Sequence, residues 1–174
     1  PTYSILFILQ KLVGSHLDQK RLYLAKTYSE KSENLIQIFY GEEAVVSMAL
    51  ENFKLSALIY TKLHQHEAAI KYYNKSADIL QKLGGDSAES TLIMIYKSLA
   101  SAYFRIGELE LAESCIHKAL PLLAKNKDQD QLSCLVIGDV YNDLAVHCIE
   151  PHNFEKARNH LLNALHLYNQ SQKT

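Results

Sequence analysis

Large and small apolar residues recur at helical spacing along nearly the whole chain, with polar residues between them. The run Leu99-Ala100-Ser101-Ala102-Tyr103 is followed by Gly107-Glu108-Leu109 and then by Ala112, Ile116 and Ala119. Intervals of three and four residues put such positions on one face of a helix, and small residues mark where two helices approach closely. The same frame returns earlier as Ala57, Tyr60, His66, Ala69, Tyr73 and Ser76. It returns later as Leu144-Ala145, Cys148, Phe154, Ala157, Leu161 and Ala164. A fainter copy runs through Leu12-Val13, His16, Leu22, Ala25, Ser29 and Ser32.

Ala25, Ala69, Ala112 and Ala157 anchor the four copies, at separations of 44, 43 and 45 residues. Units of nearly constant length, each with two helical segments, describe an α-solenoid of stacked helix pairs. In each unit a first helix carries a large residue (Leu9, Phe53, Tyr96, Tyr141) and, four residues on, a slimmer one (Val13, Ala57, Ala100, Ala145). The second helix opens near the anchor alanine, where its backbone presses on the first. The pattern predicts helices over 3–13 and 18–39, 43–63 and 66–82, 87–105 and 108–124, and 130–149 and 153–170. The tight turns then fall near Ser15–Leu17, His64–Gln65, Gly107 and Pro151–His152. Connectors between units carry glycines or polar runs: Gly41-Glu42-Glu43, Gly84-Gly85-Asp86-Ser87 and Asn126–Asp130. Ser87 and Asn153 are candidate N-caps. One helical-repeat domain over 1–174 is expected, in units of about 3–41, 43–85, 87–128 and 130–171.

Composition agrees with an all-α fold. Six Gly and three Pro in 174 residues are roughly 5%, against a usual combined share of about 12%. Folds built on strands need turn residues far more often. The 18 basic and 19 acidic residues leave a net charge of −1, which offers no basic excess for a phosphate backbone, so nucleic acid is not an expected partner. Cys115, Cys134 and Cys148 form no spaced set, and a reducing cytoplasm is expected. Ile5–Leu9 is too short to span a bilayer and lacks the flanks of a signal peptide. Because the chain begins at Pro1, a fragment of a longer protein is expected.

The repeat resembles the tetratricopeptide repeat, whose first helix reads large, Leu, Gly/Ala, Tyr and whose second reads Ala, aromatic, Ala. Tyr96, Leu99, Ala100, Tyr103, Gly107, Leu109, Ala112, Ile116 and Ala119 carry the likeness best. It is closest over 46–125 and extends over 131–171 and 3–41. The common form is 34 residues long, and these units exceed it by roughly nine. Phe39-Tyr40-Gly41-Glu42-Glu43 and Lys82-Leu83-Gly84-Gly85-Asp86 resemble the connectors of kinesin light chain-type repeats. The His-Pro of that connector is absent, Asp128 stands where a Gly is usual, and most of the helix asparagines are missing. The resemblance implies a right-handed superhelix whose first helices line an inner groove, and a scaffold that binds partner proteins rather than an enzyme.

By register, Glu51, Lys54, Leu58 and Thr61 of the second unit face that groove. The third unit offers Met94, Lys97, Ser101, Phe104 and Arg105, and the fourth Asp139, Asn142, Val146 and Ile149. Such a mixture suits an extended peptide or a helix, with apolar pockets for affinity and polar groups for register. Lys54, Lys97 and Arg105 suggest an acidic segment. Relatives that grip a terminal carboxylate use a Lys/Asn set across adjacent first helices. Lys97 and Asn142 match only part of that set, so the clamp is not assigned. An ordinary solvated face is the alternative for each residue.

Other chemistry finds little support. Zinc needs four convergent ligands. His64, His66, His147, Cys148 and His152 do not meet that need, because neighbours on a helix diverge and Cys148 lies on the core stripe. Cys115 and His117 point apart in the same way. Gly84-Gly85 lacks the frame of a phosphate loop, and Glu108, Glu110 and Glu113 suit the start of a helix. Tyr60, Tyr96, Tyr103 and Tyr141 are expected in the core. No cofactor or metal is expected. Two further readings stay open: a regulatory appendage of an enzyme, and a peptide-sensing receptor domain of bacterial type. Ile5, Phe7 and Ile8 are apolar with no predicted neighbour, which leaves self-association through the end units open.

Overall fold

A computed structural model of the protein describes residues 2–39, 43–125, 131–149 and 153–171. Among the described residues there are eight α-helices and no strand. They are α1 (Thr2–Asp18), α2 (Leu22–Phe39), α3 (Glu43–Lys62), α4 (His66–Leu83), α5 (Asp86–Arg105), α6 (Leu109–Lys125), α7 (Gln131–Ile149) and α8 (Phe154–Ser171). The chain divides into two compact units, Pro1–Leu83 and Gly84–Thr174, each holding two antiparallel hairpins. In the first, α1 packs on α2 and α3, α2 on α3, and α3 on α4. In the second, α5 packs on α6 and α7, α6 on α7, and α7 on α8.

The hairpins share one turn. Lys20, His64 and Gly107 adopt left-handed backbone (φ 58°, 58° and 83°), each five residues before an anchor alanine. The following amide reaches back to close the helix: Arg21 N–H to His16 C=O, Gln65 to Tyr60, and Glu108 to Tyr103, at 2.8–3.0 Å. With the companion bonds Lys20 to Leu17, His64 to Thr61 and Gly107 to Phe104, these are Schellman caps, which satisfy carbonyls a helix end would leave open. Asn153 N–H closes onto Cys148 C=O in the same register at 3.0 Å, while Pro151 and His152 lie outside the described residues.

That shared geometry corrects the first helix. A turn was expected at Ser15–Leu17, but α1 continues to Asp18. Its stop is set by Lys20, which carries the left-handed backbone that Gly107 supplies elsewhere. The N-cap expectations divide. Asn153 Oδ1 accepts from Lys156 N–H at 3.3 Å, whereas Gly85 holds the N-cap position of α5, so Ser87 falls inside the helix.

Each hairpin closes on its small residues. Val13, Ala57, Ala100 and Ala145 are completely buried, as are Ala25, Ala69 and Ala112, with Ala157 nearly so. Phe53, Tyr96 and Tyr141 are buried, but Leu9, Tyr60 and Tyr103 are only half-buried. The first unit adds a polar seam between α2 and α3. Ser29 and Ser56 hydroxyls share a hydrogen bond, and Asn52 Nδ2 donates to the Ser29 carbonyl at 3.3 Å. Asn52 is fully buried, which fixes register because an unpaired amide there would be costly.

Candidate functional site

The first helix of each hairpin keeps one face out of the core, and the repeat assigns its residues. Positions 51, 54, 58 and 61 of α3 correspond to 94, 97, 101 and 104 of α5 and to 139, 142, 146 and 149 of α7. In the first unit the face forms a real concavity. A cleft of about 610 Å³ lies between α1 and α3, lined by Phe7, Gln10, Lys11, Gly14, Ser15 and Asp18 from α1 and by Glu51 and Leu55 from α3. Gln10 Nε2 donates to the Met48 carbonyl at 2.6 Å and ties the two walls together. Lys11 Nζ sits 5.2 Å from the Phe7 ring centroid, so cation and aromatic form one wall feature. Gly14 leaves the floor open, since a Cβ there would meet nothing within 4 Å.

Among the expected residues, Glu51 lines this cleft and Lys54 lies beside it. Lys54 Nζ donates to Glu51 Oε2 at 2.9 Å, so its charge is already partly matched. Leu58 is exposed. Thr61 Oγ1 donates to the Ala57 carbonyl at 2.8 Å and lies 3.3 Å from the Tyr73 hydroxyl, which gives it a role in closing α3 on α4. The residues that sequence reading missed are Phe7, Gln10 and Gly14. They stand one repeat before Glu51, Lys54 and Leu58, so the 44-residue spacing alone would have named them.

In the second unit, α5 and α7 pack together. Lys97, Ser101 and Phe104 are half-buried on α5, while Met94 and Arg105 are exposed. Asn142 and Val146 are exposed on α7, and the side chain of Ile149 lies outside the described residues. Lys97 makes no ion pair among the described residues. Asp139 accepts from the Tyr168 hydroxyl of α8 at 2.8 Å and is therefore partly committed to its own hairpin.

The ionisable groups held away from solvent serve packing. Tyr72 and Lys75 of α4 donate to the two oxygens of Glu33 on α2, at 2.6 and 2.7 Å. Burial alone would raise that carboxyl, but these bonds outweigh it and hold Glu33 below its ordinary value. Glu113 of α6 meets Lys156 at 3.0 Å and stands 2.9 Å from His160 Nε2, both on α8. The histidine ring is out of line for an N–H bond to it. Burial depresses His160, against the pull of Glu113, and burial likewise raises Cys115. A thiol pushed up in this way is a poor nucleophile. Among the described residues, no three His, Cys, Asp or Glu side chains gather as a metal set. No helix among them is long and apolar enough to cross a membrane.

The family model described as the tetratricopeptide repeat matches residues 47–125. Residues 47–125 carry tetratricopeptide repeats. The crystal structure of BtubC (BKLC) from P. vanneervenii shares the fold, with a TM-score of 0.70 at 17% identity. The match covers 97% of this chain and 65% of that one, so the chain spans less than two thirds of the neighbour's length. No curated protein matches the sequence. Tetratricopeptide repeats generally mediate protein–protein interaction or scaffolding. The Schellman turns, anchor alanines and hairpin packing are what such a repeat needs, since each pair buries its apolar stripe only against a neighbour.

Proposed function

We propose that the chain is a non-enzymatic interaction module that holds a peptide or helix of a partner protein along the exposed faces of its first helices. The cleft between α1 and α3 carries this reading. It joins an aromatic wall, an open glycine floor and the charged groups Lys11, Asp18 and Glu51. Apolar burial there would supply affinity, and the charged groups would fix direction. On this reading Lys54, Leu58 and Thr61 extend the surface in the first unit. Lys97, Ser101, Phe104, Arg105, Asn142 and Val146 form its counterpart in the second.

Lys97 and Arg105 favour an acidic segment at the second unit, because electrostatic match steers encounter. At the first unit Lys54 is offset by Glu51, so preference there rests on the apolar contacts. The four hairpins act as one repeat domain, and the cytoplasm is the proposed location. Selection of binders from a random peptide library, followed by fluorescence anisotropy, tests the reading. Selected peptides should lose affinity at least tenfold for Gly14→Leu or Lys97→Ala. Failure to select any peptide, or binding indifferent to both variants, contradicts it.

A further inference from the structure

The cleft between α1 and α3 has a charge character of its own. Its charged lining residues are one ammonium, Lys11, and two carboxylates, Asp18 and Glu51. The ammonium is engaged within its own wall, 5.2 Å from the centroid of the Phe7 ring. One Glu51 oxygen accepts from Lys54 at 2.9 Å. The Asp18 side chain is exposed and enters no hydrogen bond or ion pair among the described residues. It closes the C-terminal end of α1, where the helix dipole adds negative potential. Two turns separate it from Lys11 on the same helix, a rise of about 10.5 Å. The cleft is therefore cationic at one end and anionic at the other.

The repeat register sets the anionic end apart. Asp18 corresponds to Lys62 on α3 and to Arg105 on α5, so α1 carries a carboxylate where the next two first helices carry cations. Lys62 is exposed and forms no ion pair among the described residues, so it does not occupy Asp18. One turn before Asp18 stands Gly14, whose equivalents are Leu58, Ser101 and Val146. A Cβ at Gly14 would meet nothing within 4 Å, and half-buried Leu55 lines the opposite wall. An apolar trough that ends at an unpaired carboxylate matches a long side chain with an aliphatic stem and a cationic head. Lysine and arginine lay their stems along apolar surface in this way and keep the charge at the polar end.

We propose that the cleft of the first unit selects a partner segment bearing arginine or lysine, with the stem laid over Gly14 and Leu55 and the cation set against Asp18. This rests on the peptide-binding reading above and gives that reading a sign at this site. Apolar contacts supply the affinity, and Asp18 supplies the charge match that governs specificity and encounter. The preference is opposite to that for an acidic segment at Lys97 and Arg105, so the two units select opposite charges.

A library of short capped peptides tests it, randomised in Ala, Ser, Gln, Leu and Phe and carrying either a single arginine or a single glutamate. Binders are selected on the whole chain and measured by fluorescence anisotropy, and those abolished by Gly14→Leu report on this cleft. Among them the arginine peptides should bind more tightly than their glutamate counterparts. Asp18→Asn should weaken the arginine peptides by about two- to fivefold, the worth of an ion pair open to solvent, and Asp18→Lys should reverse the order. Both substitutions alter an exposed side chain, and circular dichroism verifies that each variant stays helical. Gly14-dependent peptides that show no charge preference, prefer glutamate, or keep their preference for arginine in Asp18→Lys overturn the proposal while leaving peptide binding at the cleft intact. If no selected peptide depends on Gly14, both fall.

Discussion

The ring of Tyr60 on α3 stacks on that of Tyr72 on α4, with centroids 5.3 Å apart and planes 8° from parallel. One repeat earlier, His16 and Tyr28 stack at 5.3 Å and 6°. Residues 16 and 60 also supply the carbonyls that close the two Schellman turns. Ring packing and backbone capping therefore converge at the same corner of each hairpin. At the equivalent corners of the second unit stand Tyr103 with Cys115 and Cys148 with His160, so the geometry outlasts the aromatic pair.

Small residues at the anchor positions should resist enlargement. Ala112 is completely buried, and Ala112→Leu would force α6 away from α5. Overpacking a filled core costs about 1–3 kcal/mol, which chemical denaturation would register as a lower midpoint. A neutral result would mean that the helices do not meet there.

Gly138 makes a sharper case. A Cβ at this position would lie 2.6 Å from Tyr168 Cε1, and Tyr168 is held by its bond to Asp139. Gly138→Ala should destabilise the chain by about 1–3 kcal/mol, the usual cost of forced repacking. In a Tyr168→Ala background the same change should stabilise, by up to about 1 kcal/mol, because alanine is the better helix former. A double-mutant cycle by urea denaturation reads the change of sign, and equal effects in both backgrounds would contradict it.

Two groups give stability an acid limb. Burial holds folded His160 below its ordinary 6.5, so the unfolded chain takes up that proton first as pH falls. Stability present above about 6.5 should decline as pH drops through that value towards the folded pKa. Glu33, held below 4.5 by its Lys75 and Tyr72 bonds against burial, contributes above that value and loses its contribution as pH falls through its lower folded pKa. Denaturation midpoints from pH 8 to 5 should fall, and His160→Gln should flatten that slope while leaving the drop below pH 4.5. An unchanged slope would refute the assignment to His160.

Surface residues of the groove should separate binding from folding. Gly14→Ala places a methyl in open space and should raise stability by about 0.5–1 kcal/mol through helix propensity. Lys97→Ala should leave the melting temperature within about 2 °C, as expected for a surface change worth less than about 0.5 kcal/mol. A large loss of stability from Lys97→Ala would make that residue structural.

Much of this architecture was legible because repetition multiplies weak signals. A single alanine says little, yet four at near-constant spacing fixed the hairpin frame and the buried positions. The end of α1 was not legible. Lys20 takes the left-handed conformation that glycine marks at Gly107, and a lysine in the sequence does not advertise it. Of the cleft's lining only Glu51 was named from register; Phe7, Gln10 and Gly14 lie on the faint first copy, and the spacing that carries Glu51, Lys54 and Leu58 back onto them was not used. The engagement of Thr61 with Tyr73 depends on how two helices meet, which periodicity within either helix does not encode.

The most direct measurement is an amide chemical-shift map of the isotope-labelled chain titrated with a library-selected peptide. The account predicts saturable shifts concentrated on the α1 and α3 faces around Gln10, Gly14, Glu51 and Leu55, with Gly14→Leu abolishing them. Shifts confined to α2 and α4, with that cleft unmoved, would contradict it.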